Sequence, residues 1–153
     1  PSSVCTGRGE VVRPTPPPAV ARWAVLVLPA VHMPTPDVYR RFDAMRLGRT
    51  ADVEQEPDWQ AWARLPAAEL MAKLVNDLEP PAFDLRPELA DLRARAERSA
   101  GRVVRMSGSG SSLFTLFDSE PEARAARDRL AADFGVRAEL ATVGPAVEVR
   151  PTE

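Results

Sequence analysis

The chain is poor in the residues that carry most site chemistry, with Cys5 its only cysteine and His32 its only histidine. A single thiol excludes an internal disulfide and fits a reducing cytoplasm. A zinc centre would need to draw its ligands from Cys5, His32 and carboxylates, so no metal site is expected. A Ser-His-Asp triad would have to be built around His32, and no Gly-x-Ser-x-Gly elbow presents a serine to it. Long apolar runs are also lacking: the longest, Trp23 to Val31, is interrupted by Pro29 and is too short to cross a bilayer. No secretory leader is visible. Charge of one sign does not dominate either. Lys+Arg 20 against Asp+Glu 22 leaves a formal net charge of −2, and nearly all the positive charge is Arg, Lys73 being the only lysine. Neither a nucleic-acid nor a membrane partner is expected.

What is present describes an ordinary globular domain. The 153 residues are 44% hydrophobic and 27% charged, enough for one domain with a real core. The chain opens on Pro1, without an initiator Met and straight into a turn-and-strand pattern. That opening predicts a piece of a longer protein.

Taken in order, Val4 to Pro14 predicts a short strand or hairpin around Gly7-Arg8-Gly9, followed by a proline-rich link from Pro14 to Pro18. Trp23-Ala24-Val25-Leu26-Val27-Leu28 predicts a buried central strand. Thr35 before Pro36 predicts a helix start with Thr35 as N-cap, and Val38, Phe42 and Met45 supply one apolar face. Asp52 to Asp58 predicts an acidic surface loop. Trp59 and Trp62 lie three apart, as core, lid or partner contacts would.

Leu70, Leu74 and Leu78 predict one helix over about 66–78, stopped by Pro80-Pro81. Another opens at Pro87, with Leu89, Leu92 and Ala96 on one face and Gly101 as C-cap. Ser119 and Glu122 predict a capping box, starting a helix that runs to about Phe134 and is closed by Gly135. Strands are expected at Val136 to Val143 and at Val147 to Val149. Strands separated by helices, with hairpins near the end, predict an α+β fold in which a small, mostly antiparallel sheet is covered by helices.

The most distinctive stretch joins two β-prone runs, Val103 to Met106 and Leu113 to Phe117. Between them lie only Ser107, Gly108, Ser109, Gly110, Ser111 and Ser112. Such a loop can gather backbone N–H groups into an anion-binding concavity. It is not a Walker loop, because no Gly-Lys-Ser/Thr follows. Nor is it a dinucleotide fingerprint: Leu113 stands where the third glycine belongs, and a strand follows in place of a helix. A tight turn between strands and a wall of a binding site both remain open.

Four blocks carry a family resemblance. They are Gly7-Arg8-Gly9-Glu10; Pro34-Thr35-Pro36 with Tyr39; Asn76-Asp77-Leu78-Glu79 with Pro80; and Met106 through Ser112 with Leu113-Phe114. In this order they resemble the C-terminal half of the CDP-methylerythritol kinases, within the GHMP kinase superfamily, and the last block resembles the third GHMP motif. The resemblance implies an α+β fold with a ferredoxin-like antiparallel sheet, residues 19–153 forming the GHMP C-terminal domain. Residues 1–18 would then be the tail of an N-terminal ATP-binding domain and its linker.

It further implies an ATP- and Mg²⁺-dependent kinase that phosphorylates the 2-hydroxyl of the methylerythritol part of CDP-methylerythritol, on a route to isoprenoid precursors. Tyr39 would stack on the cytosine, and Thr35 beside it would contact substrate. A core position for Tyr39 and an N-cap role for Thr35 are the plainer alternatives. The loop of Ser107 to Ser112 would wall the phosphate end of the cleft. Asn76 and Asp77 belong to the pattern without an assigned role. The family's ATP-cradling loop, catalytic Asp and accompanying Lys have no counterpart here. The chain alone is therefore expected to be inactive, its N-terminal GHMP domain coming in cis or from a separate chain. A stand-alone ferredoxin-like module that binds a ligand or a partner protein is the alternative from another class. Another GHMP kinase, for mevalonate or homoserine, is disfavoured by Tyr39 following Pro-Thr-Pro.

Overall fold

A computed structural model describes residues 2–6, 10–48 and 56–144. Strands β1 (Ser2–Thr6) and β2 (Val11–Thr15) form a two-stranded antiparallel sheet of their own, with Thr6 opposite Val11. The expected hairpin is there. Its Gly7-Arg8-Gly9 turn, the start of the acidic stretch at 52–55 and the strand expected at 147–149 lie outside the described residues.

The main sheet has four strands: β3 (Arg22–Leu28), β4 (Arg105–Met106), β5 (Leu113–Phe117) and β6 (Arg137–Val143). Their order is β4-β5-β3-β6 and every neighbouring pair is antiparallel. With helices between β3 and β4 and between β5 and β6, this is the ferredoxin-like split βαβ arrangement. Helices α5 (Pro87–Ala100) and α6 (Glu120–Phe134) cover one face, where Val25, Val27, Leu113 and Phe117 meet Leu89, Ala96, Ala126 and Leu130. On the other face Ala24 and Leu116 meet Ala67 and Met71 of α3 (Ala67–Lys73). Both faces of β3 are thus covered, which is why its sequence is a continuous apolar run and not an alternation.

The remaining helices are α1 (Thr35–Ala44), α2 (Trp59–Trp62) and α4 (Glu79–Leu85). The single helix expected over 66–78 is broken. Helix α3 ends at Lys73, Leu74 is extended at ψ 133°, and α4 starts at Glu79. Pro80 and Pro81 occupy its first turn, where the missing N–H has no helical partner to lose, so the prolines open a helix and do not stop one.

Two capping expectations also change. Pro34, not Thr35, is the N-cap of α1, and Thr35 is its first residue. Ser119 does occupy the N-cap of α6, but its side chain makes no capping bond. Gly101 and Gly135 close α5 and α6 in the left-handed region, at φ 65° and 60°. Strand β4 is shorter than the apolar run predicts, because side chains take over its neighbours' backbone bonds. Glu97 accepts from Val104 N–H, while Arg93 and Thr115 donate to the Val104 and Val103 carbonyls. Among the described residues no helix is long and apolar enough to cross a membrane.

Candidate functional site at the Ser-Gly loop

The 107–112 loop is the connection of the β4–β5 hairpin, held at its base by the pairing of Met106 with Leu113. Its closing bond runs from Ser107 N–H to the Ser112 carbonyl at 2.9 Å, and Gly110 N–H bonds the Ser107 carbonyl at 3.0 Å. Gly110 has φ 91°, and a Cβ there would lie 2.9 Å from the Met106 sulfur, so both backbone and space call for glycine.

Two of the loop's hydroxyls are committed as well. Ser109 Oγ and Thr35 Oγ1 are 2.8 Å apart, and Ser111 Oγ donates to the Val31 carbonyl at 2.7 Å. The loop is therefore fastened to the start of α1 and to the segment leading into it. This explains Thr35 better than capping does: its hydroxyl points to a partner 74 residues away, not to its own helix.

Tyr39 follows Thr35 by one helical turn and so shares its side of α1. It is 53% exposed, while neighbouring Val38 is fully buried. The helix thus divides its residues, giving Val38 to the core and leaving the Tyr39 ring open to solvent. The core alternative for Tyr39 does not hold.

Asn76 and Glu79 are the residues whose purpose sequence reasoning missed. Asn76 Nδ2 donates to the Met106 and Gly108 carbonyls at 2.9 and 2.8 Å, while its Oδ1 accepts from Leu78 N–H at 3.0 Å. Glu79, only 7% exposed, accepts from Met106 N–H at 2.8 Å and lies 3.5 Å from the Arg105 guanidinium. The extended link between α3 and α4 thus grips the loop from behind. The signal available in sequence was a polar pair, Asn76-Asp77, beside two prolines; its partners lie 30 residues further on.

Trp59 and Trp62 belong to a different environment. Their rings meet edge to face at 5.5 Å, and both line a cleft with Arg22, Leu70 and residues of the β1–β2 hairpin. Glu56 Oε1 accepts from Trp59 Nε1–H at 2.9 Å and from Arg13 at 3.1 Å. These bonds hold its carboxyl below the usual carboxylate range. Arg22 is buried, and its guanidinium donates to the Ala63 and Leu65 carbonyls at the end of α2.

Residues 55–136 match the family model described as GHMP kinases C terminal. The chain is 40% identical over 127 residues to the 4-diphosphocytidyl-2-C-methyl-D-erythritol kinase of Cereibacter sphaeroides (strain ATCC 17025 / ATH 2.4.3), covering 82% of this chain and 44% of that protein. It is 37% identical to the same-named kinase of Rhodopseudomonas palustris, with 86% and 46% covered. A crystal structure of 4-(cytidine 5'-diphospho)-2C-methyl-D-erythritol kinase superposes with TM-score 0.67 at 36% identity, over 92% of this chain and 48% of that one. A homoserine kinase from Cytophaga hutchinsonii, at 20% identity and TM-score 0.60, shares the fold. The chain spans about half the length of the curated relatives it matches.

Proposed function

This chain belongs to the C-terminal family of the GHMP kinases, and from that premise we propose that it is the C-terminal part of an ATP-dependent CDP-methylerythritol kinase. In this role it supplies the substrate side of a cleft in which the 2-hydroxyl of the methylerythritol unit is phosphorylated. One observation carries the proposal: the Thr35–Ser109 bond sets the Ser-Gly loop against the start of α1, with an exposed Tyr39 one turn along. The Tyr39 ring offers a face on which the cytosine stacks, an interaction worth about 1–3 kcal/mol. Thr35 and the loop of Ser107, Gly108, Ser109, Gly110, Ser111 and Ser112 then border the part of the substrate beyond the base.

ATP and Mg²⁺ belong to the complete enzyme. Among the described residues no group of three His, Cys, Asp or Glu side chains could hold a metal ion, so these residues do not fit a Mg²⁺ site of their own. An N-terminal GHMP domain, in cis or as a separate cytoplasmic chain, supplies the ATP site. Residues 1–18 are the tail of that domain and its linker, and residues 19–153 form the C-terminal one. The separateness of the β1–β2 sheet from the four-stranded sheet supports that division.

The test is kinetic, on the chain joined to the N-terminal half of a CDP-methylerythritol kinase. Tyr39→Ala should raise KM for CDP-methylerythritol roughly tenfold with KM for ATP unchanged, and Tyr39→Phe should behave like the parent. Equal changes in both constants would remove the stacking role.

A further inference from the structure

We infer that Asn76 is a positioning residue: by bonding the Met106 and Gly108 carbonyls from the α3–α4 link, it fixes where the Ser-Gly loop presents Ser109 to Thr35. The loop's use as a cleft wall rests on the function proposed above; its placement by Asn76 does not. The geometry divides the side chain's duties. Its Nδ2 supplies both hydrogens to the loop, one on each side of Ser107, so the first residue of the turn is held at both ends. Its Oδ1 faces the other way and accepts from Leu78 N–H, at the N-cap of α4. Glu79, at the start of the same helix, takes Met106 N–H, leaving both backbone groups of Met106 bonded to this one segment. Loop and helix start are therefore locked in one register. The only other side-chain ties of the loop among the described bonds are the Ser109 and Ser111 hydroxyls.

Asn76→Asp separates the two duties, because a carboxylate keeps the acceptor for Leu78 but offers no donor to the carbonyls. In the 153-residue chain, amide exchange at Ser107 and Gly110, both closed by bonds within the turn, should quicken roughly tenfold. Exchange in β3 and β6 should stay unchanged. Asn76→Ala, which puts no charge against the carbonyls, should show the same pattern, so a failure of the aspartate variant to fold does not remove the test. Unchanged loop exchange, or quickening spread evenly through the sheet, would overturn the proposal.

A second readout uses the chain joined to an N-terminal half. If Asn76 acts through Ser109, the loss of kcat in the Asn76→Ala, Ser109→Ala double variant should not exceed that of the worse single variant. Multiplying losses would overturn it. Should the joined parent show no turnover of CDP-methylerythritol, the functional proposal fails while the exchange result still decides the placement.

Discussion

The Thr35 and Ser109 hydroxyls lie 2.8 Å apart, a bond that joins the first residue of α1 to the turn of a hairpin 74 residues later. It ties the helix that bears Tyr39 directly to the Ser-Gly loop. Thr35 is exposed and Ser109 half-buried, so a hydroxyl left behind by its partner can turn to water. Net contributions of such bonds are about 1 kcal/mol. Thr35→Ala and Ser109→Ala should each destabilise the chain by about that amount, and the double variant by no more than either. Urea unfolding of the four proteins measures this directly. Additive losses would mean that the two hydroxyls do not interact.

Val38 and Tyr39 provide the sharpest contrast between adjacent residues. Val38 is fully buried in the core while Tyr39 is 53% exposed. Val38→Ala removes two methyl groups from a packed interior and should cost about 1–3 kcal/mol. Tyr39→Ala should stay within about 0.5 kcal/mol, as surface substitutions do. Thermal unfolding distinguishes them. A large loss at Tyr39 would return it to a structural role and weaken its assignment to substrate.

How much of this could be read in the sequence depended on how far each residue's partner lies along the chain. Strand β3 was legible because both its faces are covered, so burial is written as an unbroken apolar run from Trp23 to Leu28. Gly101 and Gly135 were legible as caps because the left-handed backbone they adopt is a local requirement. Thr35 was misread because a threonine before a proline carries the same local signal whether its hydroxyl caps a helix or reaches a distant serine. Pro80 and Pro81 were misread for a related reason: a proline pair marks a helix boundary without saying on which side the helix lies. Asn76 was opaque because both carbonyls it holds arrive only when the β4–β5 hairpin folds against the α3–α4 link.

Glu56 links the hairpin to α2 and gives a pH dependence of known sign. Bonds from the Trp59 indole and then from Arg13 hold its carboxyl below the ordinary value of 4.5. A group whose pKa is lowered by folding stabilises the folded state above its unfolded value, and that contribution is lost as pH falls through the folded one. The melting temperature of the parent should therefore exceed that of Glu56→Gln by a constant margin at neutral pH. The margin should shrink in acid, below the ordinary carboxyl value. A margin that grew in acid would contradict the assignment.

Turnover by the chain alone is the last test, and none is expected. A Ser-Gly loop can bind anions when its N–H groups and hydroxyls converge on open space. Here the Ser107 and Gly110 N–H groups close the turn, and the Ser109 and Ser111 hydroxyls tie it to Thr35 and Val31. Those four groups hold the loop in place and are not free to cradle a triphosphate. Phosphoryl transfer depends almost entirely on positioned charge around the transferred group and on orientation of the attacking hydroxyl. With ATP, Mg²⁺ and CDP-methylerythritol, the 153-residue chain should give no phosphorylated product by phosphorus NMR, and joining it to an N-terminal half should produce one. Product from the chain alone would show that its own residues complete the site, and the assignment of the ATP site to a second domain would fall.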